Sequence, residues 1–178
     1  SMQIDNPERG FSYKIHGSLA LRLNPQKGIS AAERLKELTQ DELEGMLIEN
    51  ADEPYAKEIA KAIFKRMRAG KEIKTTTDLR EIIEAVVEKQ KPENLKQEMK
   101  KSCQRTFQAL RIDVNSEFEV LEEFLEKLPD VLAPGGRVAI LTFHSGEDRM
   151  VKKIFKRMKK EGIYSDVAKD VIRPSVEE

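Results

Sequence analysis

The chain has 178 residues, enough for one domain with a real core or for two small lobes. Lys and Arg total 32, as do Asp and Glu, so the formal net charge is zero although 36% of residues are charged; with a mean hydropathy of −0.58 this reads as a heavily solvated surface. One cysteine, Cys103, excludes an internal disulfide framework and a multi-cysteine zinc site, no apolar run approaches the ~20 residues of a membrane span, and 6% aromatics without tryptophan argue against a base-stacking platform.

The N-terminal stretch lacks the basic and apolar regions of a signal peptide, and a reduced cytoplasm is the expected location. Residues 1–28 are punctuated by Asn6-Pro7, Gly10, Gly17, Asn24-Pro25 and Gly28, and read as irregular or short extended structure. A helical region follows. Ser30 caps "AAERLKEL" with Glu33 in the capping-box position, and Thr39 caps "DELEGMLIEN" with Glu42. Pro54 opens "YAKEIAKAIFKRMRA" and Gly70 stops it. In "TTTDLREIIEAVVEKQ", Leu79, Ile82, Ile83 and Val86 form one helical stripe.

From Arg105 to Leu128 the apolar residues Phe107, Leu110, Val114, Phe118, Leu121, Leu125 and Leu128 recur every three or four positions. That spacing predicts one long helix, ended or kinked by Pro129. Next comes "LAPGGRVAILTF": a Pro-Gly-Gly turn, then an apolar run with the pattern of a strand buried on both faces. "EDRMVKKIFKRMKKEG" returns to helix, with Met150, Val151, Ile154, Phe155 and Met158 inward, and Ile163–Val167 is a candidate short strand. A strand buried on both faces needs neighbours that these residues barely supply.

Chemistry concentrates in "TFHSGEDR" (142–149). His144, Ser145 and Asp148 have the residue types of a hydrolase triad, but side chains this close in sequence diverge at a turn and do not line up as one. Two readings stay open. Ser145 is a good N-cap, with Asp148 three residues on at the helix's positive end. The motif also follows the C-terminal end of the expected strand, where open α/β sheets place their ligand sites. Basic runs occur at 65–71 ("KRMRAGK") and 149–160 ("RMVKKIFKRMKK"); each is either the solvated face of an amphipathic helix or a phosphate-facing surface. Cys103 has no adjacent His to activate it, and Phe11 and Phe107 read as core.

"LAPGGRVAILTF" alone resembles the fifth-strand region of class I S-adenosylmethionine-dependent methyltransferases. Together with "NPERGFSY" (6–13) and "RTFQALRIDVNSE" (105–117), in this order, it resembles the ribosomal small-subunit methyltransferase H family, also called MraW. The resemblance implies N4-methylation of a cytidine in the decoding centre of 16S ribosomal RNA. It implies S-adenosylmethionine as donor and the small subunit or its RNA as partner. It implies a helix-rich α/β fold: residues 1–28 a remnant of a Rossmann-like methyltransferase domain, 29–104 an inserted helical subdomain, and 105–178 the domain's C-terminal half. His144, Ser145 and Asp148 are the candidates around the cytidine, Gln3 matches a cofactor-contacting position, and Arg9, Arg105, Arg111 and Arg149 are candidates for RNA phosphates; no metal is expected.

The sequence also departs from the family's pattern. The glycine-rich cofactor loop and the ribose-binding acid have no counterpart, so the chain is expected to be a fragment that is inactive by itself. Where the family has Asp-Gly-Pro-Leu-Asp-Met-Arg-Met-Asp, the chain reads "HGSLALRLN", replacing three acids by His16, Ala20 and Asn24. His-Pro-Ala-Thr becomes "KSCQ", and Gly146 stands where Leu is usual. A non-catalytic RNA-binding or assembly module, or a paralogue with another methyl acceptor, are the alternatives. A half-sheet with an open edge also favours a homodimer.

Overall fold

Ser30, Thr39 and Thr75 start three helices in one way. Each hydroxyl accepts the backbone N–H three residues on, and the carboxylate there (Glu33, Glu42, Asp78) reaches back to the N–H of the capping residue. Two otherwise orphaned donors are satisfied at each start. In the computed structural model, which describes residues 9–170 and 172, these caps open α1 (Ala31–Glu37), α2 (Gln40–Ala51) and α4 (Thr76–Gln90). Between them α3 (Ala56–Arg68) begins just after Pro54 and stops before Gly70. α5 (Leu95–Val114), α6 (Glu117–Val131) and α7 (Ser145–Lys160) complete the helices among the described residues. The chain divides into two compact units, one ending at Glu117 and the other starting at Phe118.

The first unit is a helical lobe. α2 packs on α3 and α5, α4 packs on the same two helices, and α1 joins α5. Its core includes Leu35, Leu43, Leu47, Ile59, Ile63, Leu79, Ile83 and Leu110. Each such side chain contributes about 1.5–3 kcal/mol on burial. The expected stripe of Leu79, Ile82, Ile83 and Val86 is buried in full. The position 104/105 lies inside α5, and the lobe takes in all of that helix.

The loop before α1 is tied to the lobe through its backbone. Leu19 N–H donates to Lys74 O (2.9 Å), Thr76 N–H donates to Gly17 O (2.9 Å), and the buried Thr76 hydroxyl donates to Ile15 O (2.7 Å). Ala31 and Ala32 donate to Ala20 and Leu19 carbonyls (2.9 and 3.0 Å). Gly10 is required at one close approach: at φ +68°, a Cβ there would lie 2.1 Å from Ser18 O.

Two helices replace the single helix expected over 105–128. The break falls at Asn115 and Ser116, the latter at φ +49°. Asn115 is drawn out of helical service by the loop. Its Nδ2 donates to Leu21 O and to Arg111 O (2.7 Å each), and its Oδ1 accepts Leu23 N–H (2.7 Å). Apolar spacing carries through the break because the stripe on each side of it still faces a core. Pro129 lies inside α6, near its end, without terminating it.

The second unit gathers Leu125 of α6 with Val151, Ile154 and Met158 of α7; Leu121, Ile140, Met150, Phe155 and Tyr164 pack around them. The expected inward residues of α7 are thus all in or against this core. No segment among the described residues is a β-strand, and the only ladder contact there is an isolated bridge between Ser18 and Thr75. Residues 137–143 do not form the strand expected of them, nor do 163–167. A lone extended segment has no partner for its N–H and C=O groups, so no ladder forms. The alternation survives. Val138, Ile140 and Thr142 are half-buried, while Leu141 and Phe143 stand 79% and 84% exposed. One face of the run is covered, not both.

Candidate functional site at the start of α7

The N-cap of α7 is His144, in extended conformation, and not Ser145 as expected from hydroxyl preference. His144 Nδ1 accepts Glu147 N–H at 3.4 Å, and Glu147 Oε2 accepts Phe143 N–H at 2.8 Å. Glu147 Oε1 lies 3.4 Å from His144 Nε2. The imidazole caps the N–H three residues on, while the Glu147 carboxylate reaches past the cap to the N–H of Phe143, one residue further out than in a capping box. Accepting at Nδ1 places the ring proton on Nε2, facing the Glu147 carboxylate.

Ser145 becomes the first helical residue, exposed at the helix's positive end. Asp148 N–H donates to His144 O (3.2 Å), and its carboxylate pairs with Lys152 at 3.0 Å. The three candidates are neighbours at one helix terminus, but they do not form a nucleophile–base–orienter line. His144 and Asp148 are committed to the helix start, and Ser145 is the hydroxyl left open.

Gly146 fits this turn sterically. A Cβ there would meet Phe118 Cζ at 2.7 Å and His144 Nδ1 at 3.2 Å. The Phe118 ring fills that space and packs tilted against His144, with centroids 5.9 Å apart. The leucine expected from the resemblance has no room here while Phe118 keeps its place.

The candidate arginines divide. Arg9 donates to Leu23 O and Arg22 O (3.3 Å for the latter) and lies over the Phe11 ring at 5.4 Å. Arg105 pairs with Glu98 (3.0 Å), and Arg111 makes a two-pronged bond to Glu117 (2.9 and 3.1 Å). These three are bonded to carbonyls or carboxylates of the first unit. Arg149 is exposed on α7. Gln3 lies outside the described residues.

Two features escaped the sequence. Glu53 is 2% exposed; its Oε1 accepts Tyr55 N–H (3.1 Å) and its Oε2 has no hydrogen-bond partner. Burial pushes its carboxyl above the usual range, against the pull of that N–H, the Ser102 hydroxyl and Arg105. "DEP" looks like any acidic loop, so no local signal marks it. The second is a line of cations on α3 that begins well before the "KRMRAGK" run; the i, i+4 lysines of "AKEIAKAIFK" carry that signal. Cys103 is buried, and burial holds its thiol up at about 12, an inert group as expected.

In open α/β sheets ligands bind beyond the carboxyl ends of the strands, and the start of α7 follows the apolar run 137–143 in the same order along the chain. The sequence profile of the MraW methylase family matches residues 1–178, and the chain belongs to that family. It is 66% identical over all its 178 residues to "Ribosomal RNA small subunit methyltransferase H 1" of Lachnoclostridium phytofermentans, covering 49% of that protein. It is 65% identical to the protein of the same name from Agathobacter rectalis, covering 51%, and 42% identical to the relative from Elusimicrobium minutum, covering 58%. The chain thus spans about half the length of the curated relatives it matches. No helix among the described residues is long and apolar enough to cross a membrane.

Proposed function

We propose that this chain serves the methylation of 16S ribosomal RNA at the exocyclic N4 of a cytidine in the decoding centre, with S-adenosylmethionine as donor, in the cytoplasm. The observation that carries the reading is 66% and 65% identity, over every residue of the chain, to two proteins named as ribosomal RNA small subunit methyltransferases. Residues 29–104 are read as the insert, and residues from Arg105 onwards as the later half of a Rossmann-like domain. In that reading 137–143 is one strand of a sheet whose neighbours lie outside these residues.

The side chains described do not by themselves fit the donor. A ribose needs a free carboxylate, and near the start of α7 Glu147 is bound to Phe143 N–H while Asp148 is paired with Lys152. The acceptor is a different matter. The cytosine amino group is a poor nucleophile because its lone pair is delocalised into the ring, so it must be held in line by hydrogen-bond acceptors. Ser145 Oγ is the open group for that task; His144 and Glu147 position it by fixing the helix start.

Disruption of the gene that carries this chain, followed by mass spectrometry of 16S ribosomal RNA nucleosides, tests the reading. Loss of N4-methylcytidine is expected, and its retention at normal level overturns the proposal. A non-catalytic RNA-binding role is the second reading, favoured by the single-sign cationic face of α3. A gel shift of the 178-residue chain on small-subunit RNA, with affinity falling steeply as salt rises, supports that second role; micromolar S-adenosylmethionine binding is expected under neither reading, since the glycine-rich loop is not among these residues.

A further inference from the structure

Zero net charge conceals a strong separation of sign. α2 (Gln40–Ala51) carries only acids, whereas α3 carries Lys57, Lys61, Lys65, Arg66 and Arg68 against one acid, Glu58. Arg66 turns towards α4 and pairs with Asp78 at 2.7 Å. The other four recur three or four residues apart, on the side of α3 opposite buried Ile59 and Ile63. All four are exposed, as is Lys71 just beyond the helix, and none of the five has an acidic partner among the described residues. From Lys57 to Arg68 they span about 16 Å of helix. One strand of a nucleic-acid duplex carries about five phosphates over that length.

A merely solvated helix face looks different. α4 mixes signs and pairs Arg80 with Glu84, and half of the α7 lysines and arginines after Arg149 (Lys152, Arg157 and Lys159) each have a carboxylate, leaving exposed Lys153, Lys156 and Lys160 without one among the described residues. Local helix energetics also fail to explain α3. Cations in its last turn suit the negative end of the helix dipole, but Lys57 is its second residue, where the dipole favours an acid. At the other end the line of cations meets a groove of about 270 Å³. It is lined by Ala32, Leu35, Met67 and Ile73, and by Lys36, Lys71 and Glu72, whose carboxylate pairs with Lys36 at 2.9 Å. That is just below the size of sites for drug-like ligands, at about 300–1,000 Å³, and suits one ring system.

We propose that Lys57, Lys61, Lys65, Arg68 and Lys71 form a phosphate-binding ridge for an RNA strand, and that the groove beside Lys71 takes one unstacked base of it. Single-stranded RNA offers both parts, since its bases can be splayed out from a backbone held by cations. The assignment rests on the RNA-methyltransferase reading above, and it places an RNA contact on the helical lobe.

The test uses the 178-residue chain and a labelled single-stranded RNA oligonucleotide, with anisotropy measured across a salt series. Each phosphate contact contributes about 0.7 to the slope of log affinity against log salt. The triple variant K57Q/K61Q/R68Q should lower that slope by about 2, while K153Q/K156Q/K160Q on α7 should lower it by less than half as much. A32L, which fills the groove, should weaken RNA binding several-fold and leave inorganic polyphosphate binding unchanged. Circular dichroism confirms that each variant is folded. Equal effects of the two triple variants overturn the ridge, and no effect of A32L overturns the base site. If the unaltered chain binds no RNA at all, the ridge and the base site are both overturned, while the methylation reading is decided separately by the 16S nucleoside analysis.

Discussion

Asn115 joins the end of α5 to the loop around Leu21–Leu23, and its replacement by alanine should be costly for one side chain. Three hydrogen bonds disappear: to Leu21 O, to Arg111 O and from Leu23 N–H. A net hydrogen bond contributes about 0.5–1.5 kcal/mol, and a buried group left unpaired costs more. Leu23 N–H is exposed and water replaces its partner, so it counts for little. Leu21 is buried, and its carbonyl depends on Asn115 Nδ2. The expected loss is about 2–3 kcal/mol. With a urea slope of about 2 kcal/mol/M, the midpoint falls by about 1 M. Urea titration followed by far-ultraviolet circular dichroism reads this directly. N115D keeps the acceptor for Leu23 but lacks both donors, and should be at least as destabilised as N115A. If N115A falls within about 0.5 kcal/mol of the unaltered chain, the value of a surface substitution, the loop is held by something other than this side chain.

Three other outcomes are expected. Glu53's carboxyl binds its proton more tightly folded than unfolded, so its contribution to stability falls as pH rises from the ordinary 4.5 through its raised folded value. E53Q should therefore be more stable than the unaltered chain at pH 8, and the gap should close as the pH is lowered towards 4.5; a gap independent of pH would contradict this account. Cys103, with its thiol at about 12, should resist iodoacetamide at pH 8 in the folded chain and react on adding urea; prompt labelling of folded protein would show that the thiol is not buried. G146L should cost about 1–3 kcal/mol through overpacking against Phe118. The double variant F118A/G146L should recover part of that loss, and strictly additive effects would mean that the two side chains do not meet.

The helical lobe was legible because its signals are local. Ser30 with Glu33 and Thr39 with Glu42 need only four residues to declare a helix start, and the stripe from Leu79 to Val86 needs only one face of a helix. The break at Asn115 was not legible, because its cause lies more than 90 residues away, at Leu21 and Leu23. The 137–143 run was misread for a related reason. Its composition reports the sheet it suits, not the sheet these residues can build. At the start of α7 the sequence picked the right turn and the wrong cap. Serine's preference for capping is a statistical one, and here the imidazole of His144, positioned beside Phe118, takes the role together with Glu147. The α3 cations are half legible, since consecutive charges mark 65–71 while the four-residue spacing that leads into it forms no run.

The exposed side of 138–143 bears on how this chain behaves in concentrated solution. "VAILTF" has no charge, proline or glycine, and is rich in β-branched and aromatic residues, the composition that stacks into cross-β assemblies. Only half of it is sheltered. Arg137 before it and Glu147 and Asp148 after it act as gatekeepers that keep copies of the segment apart. The charges on Arg137 and α7 that hold the segment in solution are screened by salt, while its apolar face is not. Shelf life should therefore shorten as ionic strength rises, even where the folded helices lose nothing in stability.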